Sequence, residues 1–116
     1  MLRSKIHGAL VTDARVEYEG SITLDADLAK AADLVPYEKV LVASLSTGQR
    51  LETYVILAPA GSGVVQMNGA AAHIVHAGER IIIMSFGPVE DRAVPGWKPR
   101  IVRVDDRTNR GRTAQQ

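Results

Sequence analysis

The sequence has no cysteine, which excludes disulfide frameworks, thiolate metal sites and cysteine nucleophiles together. Aromatic residues make up only 4%, with one Phe and one Trp, so few side chains could stack on nucleic acid bases. Neither sign of charge is in excess, since 14 Lys and Arg against 13 Asp and Glu give a net charge of +1. Charge therefore indicates neither nucleic acid nor a membrane surface as a partner.

Long hydrophobic runs are missing as well. Arg3 and Lys5 interrupt the amino terminus where a signal peptide needs an apolar stretch, so we expect a cytoplasmic protein. Residues 53–78 contain no Asp, Glu, Lys or Arg, but glycines and a proline divide them, which favours buried strands and turns over a membrane span.

The 116 residues, of which 46% are apolar and 23% charged, fit one folded domain. Residues 1–104 carry the apolar segments and are predicted as a single barrel domain. Residues 105–116 have hardly any apolar side chains and are predicted as a polar tail that frays.

Short apolar segments separated by turn residues predict a mainly β fold. One helix is predicted to begin at Asp25 and to stop before Pro36, and residues 70–75 could form one or two helical turns. Asn68-Gly69 predicts a tight turn, because this pair best tolerates two successive positive φ angles. Closing the strands would remove exposed edges, so we expect a small closed barrel with one or two short helices. The predicted strands are 2–11, 21–24, 39–45, 51–57, 64–67, 80–86 and 100–104.

The pair Gly20-Ser21 is the first candidate for chemistry. Glycine adopts backbone angles that other residues resist, and the serine hydroxyl lies within reach of the glycine carbonyl. Attack by this hydroxyl would convert the amide into an ester, and elimination would leave a dehydroalanine that hydrolyses to a pyruvoyl group. Taken alone, the pair far more often marks an ordinary loop serine.

Arg50, Glu52 and Tyr54 alternate along a predicted strand and share one face, whereas Thr53 lies on the other. An arginine fork suits a carboxylate, and a tyrosine hydroxyl keeps its proton near neutrality and can donate it. The plainer alternative is a solvated pair of Arg50 with Glu52 beside a half-buried tyrosine.

The segment 68–73 is the third candidate. Gly69, Ala70 and Ala71 leave backbone N–H groups uncovered at a possible helix start, which suits an anion or a carbonyl oxygen. A tightly packed turn explains the same residues.

Lys5 and His7 lie two residues apart on the first strand, so they share a face and could add positive charge to a site. They equally suit the surface of an edge strand. No metal site is expected, because His73 and His76 have no third ligand nearby in sequence.

In their joint order and spacing, these segments resemble the aspartate 1-decarboxylase family, small pyruvoyl-dependent enzymes that make β-alanine for pantothenate synthesis. The resemblance extends from the first residue to about residue 104. The segments that carry it are Lys5-Ile6-His7, Tyr18-Glu19-Gly20-Ser21, Asp25-Ala26-Asp27-Leu28, Thr47-Gly48 with Arg50, Thr53-Tyr54, Asn68-Gly69-Ala70-Ala71-Ala72-His73, and Trp97 with Pro99.

The resemblance implies a double-psi β-barrel that assembles as a homotetramer with sites at subunit boundaries. It implies self-cleavage between Gly20 and Ser21, giving a β chain of residues 1–20 and an α chain of residues 21–116 that begins with a pyruvoyl group made from Ser21. L-aspartate would condense with that group, which accepts electrons as the α-carboxylate leaves as CO₂.

Family analogy makes Tyr54 the proton donor and assigns a substrate carboxylate to Arg50 and Lys5, with His7 in support. Thr53 is expected to assist cleavage and to contact substrate, yet a regular strand turns it away from Tyr54. Either a bulge re-aims one of the two, or a site at a subunit boundary uses both faces. The remaining contacts are assigned to the backbone of Gly69, Ala70 and Ala71, with Asn68 in support.

Two other functions are compatible with the sequence. The barrel could remain uncleaved and act as a binding or assembly module. It could also bind nucleic acid through arginines of the tail, which the scarcity of aromatic residues disfavours. Those arginines are Arg107, Arg110 and Arg112.

Overall fold

The computed structural model describes the backbone of residues 1–114 and the side chains of residues 1–111, so the side chain of Arg112 and residues 115–116 lie outside the described part. Within it the chain forms nine strands, one α-helix and two 3₁₀ helices. The strands are β1 (Leu2–Leu10), β2 (Asp13–Arg15), β3 (Ser21–Asp25), β4 (Lys39–Ser44), β5 (Arg50–Ala58), β6 (Val65–Asn68), β7 (Arg80–Phe86), β8 (Arg100–Arg103) and β9 (Arg112–Ala114). The helices are α1 (Ala26–Ala31) and the 3₁₀ helices Gly69–His73 and Asp91–Gly96.

The strands close into a barrel because the chain bends after β1, near one end of the strand order, and continues as β2 at the other end. The strand order is β2-β6-β3-β5-β4-β7-β1-β8-β9, and only Val11 and Thr12 separate β1 from β2. The N–H of Val11 donates to Glu79 O at 2.9 Å and that of Thr12 to Val65 O at 2.7 Å, so the bend is hydrogen-bonded on both sides. The expected mainly β barrel with short helices is confirmed, although β2 lies outside the predicted strands.

Three neighbouring pairs of strands are parallel: β1 with β8, β2 with β6, and β3 with β5. A parallel pair needs a crossover connection, and the one from β3 to β5 runs through α1 and β4. Alternate side chains point inward from these strands and form one apolar core. Its largest fully buried members include Ile6, Ile22, Leu24, Val55, Met67, Ile81 and Ile83.

Helix α1 is shorter than predicted and has a defined end at each side. At its start, Asp25 Oδ1 accepts the N–H of Asp27 at 2.8 Å. At its end, Asp33 adopts a φ of 57° and the N–H of Leu34 reaches Ala29 O at 2.9 Å. This is a Schellman motif, which stops the helix several residues before Pro36.

The carboxylate of Asp25 also holds the loop that precedes β6. It accepts the N–H groups of Gly61 at 3.0 Å and Gly63 at 2.9 Å. Burial alone would raise the pKa of Asp25, but these backbone hydrogen bonds outweigh burial and lower the pKa overall. The ionised carboxylate therefore stabilises the fold at neutral pH, and this contribution is lost as the pH falls through the lowered pKa.

The C-terminal segment is ordered against the barrel, so the expectation that it frays is wrong for the stretch that includes Asn109 and β9. Asn109 is 2% exposed. Its Oδ1 accepts the N–H of Leu10 at 2.7 Å, and its Nδ2 donates to Leu10 O at 2.9 Å and to Gly63 O at 2.8 Å. Strand β9 then pairs with β8. One polar side chain thus satisfies backbone groups that lie far away in sequence.

Asn109→Ala should destabilise the protein by about 2–4 kcal/mol, because it leaves buried backbone groups of Leu10 and Gly63 unpaired. Denaturant unfolding measures this loss. Thr108→Ala removes an exposed side chain of the same segment and should cost under about 0.5 kcal/mol. Equal stability of the two variants would contradict a packed segment.

Among residues 1–114 there is no helix with both the length and the apolar character needed to span a membrane.

Candidate active site

Ser21 lies at the point where an exposed loop enters the barrel. Residues 16–20 are exposed, whereas Ser21 begins β3 and is 1% exposed. Its Oγ donates to Glu19 O at 3.1 Å and accepts a hydrogen bond from Asn68 Nδ2 at 2.9 Å. The hydroxyl is therefore held in one place beside the Gly20-Ser21 peptide bond.

Asn68 is extended, with φ −121° and ψ 144°, so the predicted turn with two positive φ angles is wrong and only Gly69 has a positive φ. Its register opposite Ser21 on β3 fixes the amide there. The amide does not cap the 3₁₀ helix that follows but donates to Thr23 Oγ1 at 2.8 Å as well as to Ser21. Gln66 Nε2 donates to Asn68 Oδ1 at 2.8 Å, and sequence patterns had not identified Gln66 or Thr23.

Gly69 allows the chain after β6 to pass directly against the cleavage peptide. Its φ is +70°, and a Cβ atom there would lie 2.6 Å from Gly20 N and 2.7 Å from Gly20 Cα. The 3₁₀ helix begins at Gly69, and the first N–H groups of a helix have no partner within it. The start of the 3₁₀ helix, whose backbone was predicted to contact substrate, therefore lies next to the Gly20-Ser21 peptide.

Gly69→Ala should lower the unfolding free energy by about 2–4 kcal/mol and slow any cleavage at Gly20, since the new methyl group meets backbone atoms and the φ is unfavourable for alanine. Gly48→Ala is the matched control, because Gly48 has a φ of +77° and open space around it. It should show the backbone cost alone, about 1 kcal/mol. Equal losses from the two substitutions would contradict the close approach of Gly69 to Gly20.

Tyr54 and Thr53 occupy opposite faces of β5. Pairing with β4 runs from Arg50 to Tyr54 without a register shift, so a bulge re-aims neither side chain. Ile22 on β3 pairs with Val55, and one further step of that parallel register sets Ser21 level with Tyr54. The side chain of Tyr54 therefore belongs to the same outer face as that of Ser21.

Arg50 is exposed and is in none of the ion pairs formed between residues 1–111. Glu52 pairs instead with Lys39 Nζ at 2.7 Å, so the alternative of an Arg50–Glu52 pair is wrong. Arg50 shares its face with Tyr54 but stands four residues away, about 13 Å along the strand.

Lys5 and His7 lie together on the outer face of β1, and Arg103 of β8 lies opposite His7. Burial lowers the pKa of His7, and the positive charges of Lys5 and Arg103 lower it further, so the imidazole is neutral at pH 7. His7 Nδ1 is buried without a hydrogen-bond partner among residues 1–111. Sequence analysis missed Arg103, because its position became clear only with the parallel pairing of β1 and β8.

In a single chain the predicted site residues fall into two groups, with Arg50 and Thr53 outside both. One group surrounds Ser21 and comprises Gly20, Tyr54, Asn68 and the start of the 3₁₀ helix. The second contains Lys5 and His7. Lys5 pairs with Met84, Met84 with Leu41 and Leu41 with Glu52, which places three strand spacings, about 14 Å, between Lys5 and β5.

A cavity away from the predicted site coincides with neither group. It has a volume of about 570 Å³ and lies beside α1 and the C-terminal segment. None of the predicted site residues lines it. Its charged side chains include Asp27, Arg107 and Arg110, and the buried Asp25 in its wall is already satisfied by backbone N–H groups. The neighbourhood of Ser21 thus remains the candidate site on chemical grounds.

The surroundings of Ser21 fit a pyruvoyl group at that position. Cleavage would turn Ser21 Cα into the ketone carbon and Cβ into a methyl group, and the Asn68 amide, which donates to Ser21 Oγ, would remain beside this residue. Gly69 provides the room, because any side chain there would meet Gly20. The exposed loop before Ser21 could separate after cleavage without removing core residues.

Comparison with known proteins decides the family. The sequence pattern described as aspartate decarboxylase matches residues 1–110. The chain belongs to the aspartate decarboxylase family. It is 50% identical over 109 residues to an aspartate 1-decarboxylase of Chlorobium phaeovibrioides, covering 94% of this chain and 85% of that protein. It is also 50% identical over 105 residues to an aspartate 1-decarboxylase of Myxococcus xanthus, covering 90% and 81% respectively.

Membership of the aspartate decarboxylase family confirms the resemblance found in the sequence, and with it the double-psi barrel. The names of the family and of these two relatives support aspartate as the substrate.

Proposed function

We propose that this chain cleaves itself between Gly20 and Ser21 and then decarboxylates L-aspartate to β-alanine and CO₂, supplying β-alanine for pantothenate synthesis. The observation that carries the proposal is the placement of Ser21, a buried hydroxyl fixed between Glu19 O and the Asn68 amide. An ordinary loop serine would be exposed and free to rotate, and Ser21 is neither.

Self-cleavage needs the Ser21 hydroxyl, the Gly20 carbonyl and water. Ser21 Oγ attacks the carbonyl carbon of Gly20, the C–N bond breaks, and the acyl group moves from nitrogen to oxygen as an ester. Loss of the Ser21 α-proton then expels the Gly20 carboxylate, and water replaces the resulting enamine nitrogen, which leaves as ammonia. The β3–β5 register pairs Ile22 with Val55, and two further steps along it bring Thr53 level with Gly20, which supports a role for Thr53 in donating a hydrogen bond to the Gly20 carbonyl.

The pyruvoyl group, when formed, supplies a ketone that condenses with the substrate amine and accepts electrons as CO₂ leaves. Tyr54 donates a proton to the substrate carbon that loses CO₂. Arg50 binds a carboxylate of aspartate, and Lys5 and the neutral His7 complete a polar wall. The N–H groups at the start of the 3₁₀ helix orient the substrate.

The proposal is tested by incubating the purified protein with aspartate labelled at the α-carboxyl carbon. Labelled CO₂ and an equal amount of β-alanine should appear, whereas aspartate labelled at the side-chain carboxyl should release no labelled CO₂. An uncut chain that releases no CO₂ would contradict the proposal and favour the binding or assembly module.

We propose further that the site lies at a subunit boundary of a homotetramer. The outer face between Lys5 and Tyr54 is open and carries exposed apolar side chains, such as Phe86 at 55% exposure, beside the Lys39–Glu52 ion pair. Leu41 and Met84 line a depression of 270 Å³ there. Exposed apolar surface of this kind marks a contact with another protein. A second copy that covers this face would bring Lys5 and His7 of one chain to the Ser21 group of the other. The cytoplasmic location stays a prediction.

Subunit complementation tests the shared site. Lys5→Ala and Tyr54→Phe should each be nearly inactive alone. Hybrid oligomers formed by co-expression should recover activity well above either parent, because some boundaries then contain both intact groups. Recovery no higher than that of the parents would place Lys5 and Tyr54 in the same chain's site.

A further inference from the structure

Tyr37 has a backbone conformation that its residue type disfavours. Its φ is 69°, and the other non-glycine residues with positive φ among residues 1–114 are Asp33 and Asn109. Asp and Asn tolerate this region, whereas a bulky aromatic residue there is strained. Burial offers no compensation, since Tyr37 is 78% exposed. Neither turn chemistry nor the core therefore explains a tyrosine at this position.

The neighbouring backbone holds Tyr37 in place. Its N–H donates to Val55 O at 2.7 Å, and the N–H of Val55 donates to Glu38 O at 3.0 Å. The Glu38 carboxylate is in turn held by Arg3 and Ser85. Tyr37 and Glu38 thus both hydrogen-bond to Val55, the residue that follows Tyr54. These hydrogen bonds keep Tyr37 in its strained conformation.

The ring of Tyr37 stacks on that of Tyr54, with centroids 6.2 Å apart and planes inclined by 28°. We propose that Tyr37 is a positioning residue that holds the ring of Tyr54, and with it the hydroxyl, against the Ser21 face. The catalytic part of this inference rests on the proposed function, in which Tyr54 donates a proton.

The physical need for such a support follows from the place of Tyr54. Its ring lies on the outer face of β5 and is only partly buried, so core packing does not confine its rotation. A proton donor misplaced by about 1 Å can lose on the order of a hundredfold in rate. A stacked ring limits the motion at the cost of a strained backbone.

Three protein forms test the role: wild type, Tyr37→Phe and Tyr37→Asn. Phe keeps the ring, whereas Asn accepts the left-handed conformation and lacks the ring. Tyr37→Asn should cleave normally and unfold at an equal or higher temperature, yet its kcat should fall by about ten- to a hundredfold with little change in KM. Tyr37→Phe should restore most of kcat.

A second measurement does not depend on activity. The chain has three tyrosines, so ¹⁹F spectra of fluorotyrosine-labelled protein contain few signals, and Tyr54→Phe identifies the one from Tyr54. That signal should move and sharpen in Tyr37→Asn but stay in place in Tyr37→Phe. An unchanged Tyr54 signal in Tyr37→Asn would overturn the inference.

The kinetic and the ¹⁹F measurements together distinguish a failure of this inference from a failure of the proposed function. If Tyr54→Phe is fully active, the proton-donor assignment fails, and the ¹⁹F result alone decides whether Tyr37 positions Tyr54. If Tyr54→Phe is inactive and Tyr37→Asn keeps wild-type kcat, the positioning role is overturned. A change in oligomeric mass in Tyr37→Asn would also overturn it, because the ring would then act through assembly.

Discussion

Ser21→Ala is expected to yield a single uncut chain without decarboxylase activity. No oxygen remains to attack the Gly20 carbonyl, so neither the ester nor the pyruvoyl group can form. The rest of the site should survive, because Asn68 keeps its hydrogen bonds to Thr23 and Gln66. Mass spectrometry of the intact protein and CO₂ release from aspartate measure both effects.

The matched control is Ser46→Ala, which removes an exposed hydroxyl from the turn before β5. It should cleave and turn over as the wild type does. Thermal unfolding of Ser21→Ala verifies that the uncut chain is folded, with a loss of at most about 1–3 kcal/mol from the missing hydrogen bonds. Fragments ending at Gly20 in Ser21→Ala would rule out the serine as the attacking group.

Tyr54→Phe is expected to separate maturation from turnover. Cleavage should proceed, since the attacking group and the Gly20 carbonyl are untouched. The value of kcat should fall by about 10²–10⁴, the usual contribution of a positioned proton donor, while KM changes little. Steady-state kinetics on fully processed protein measure this, and near wild-type kcat would show that another group delivers the proton.

The sequence indicated which residues are candidates for the site, but it did not indicate how they meet in space. Gly20-Ser21, Thr53-Tyr54 and 68–73 could be singled out because each combines residue types that suit one task. Their meeting depends on strand pairing, since Ser21 faces Asn68 only when β3 and β6 are antiparallel neighbours. The orienting role of Gln66 and the cationic neighbour Arg103 required the same information.

In the fold, too, features set by neighbouring residues in sequence could be predicted, whereas features set by distant residues could not. Strand segments followed from short apolar runs, and the helix start followed from Asp25, because both signals are local. The order around Asn109 depends on backbone groups of Leu10 and Gly63, about a hundred and about fifty residues away respectively. The extended Asn68 and the strained Tyr37 likewise reflect neighbours in space, which override the local preferences of both residues.

The central claim is that the chain breaks its own backbone, and the mass of the purified wild-type protein after incubation tests it most directly. We expect two polypeptides, residues 1–20 and residues 21–116. The larger should lack a free amino terminus and should react with a hydrazide, as a terminal ketone does. A single polypeptide of 12.5 kDa that stays unreactive to the hydrazide would contradict the account.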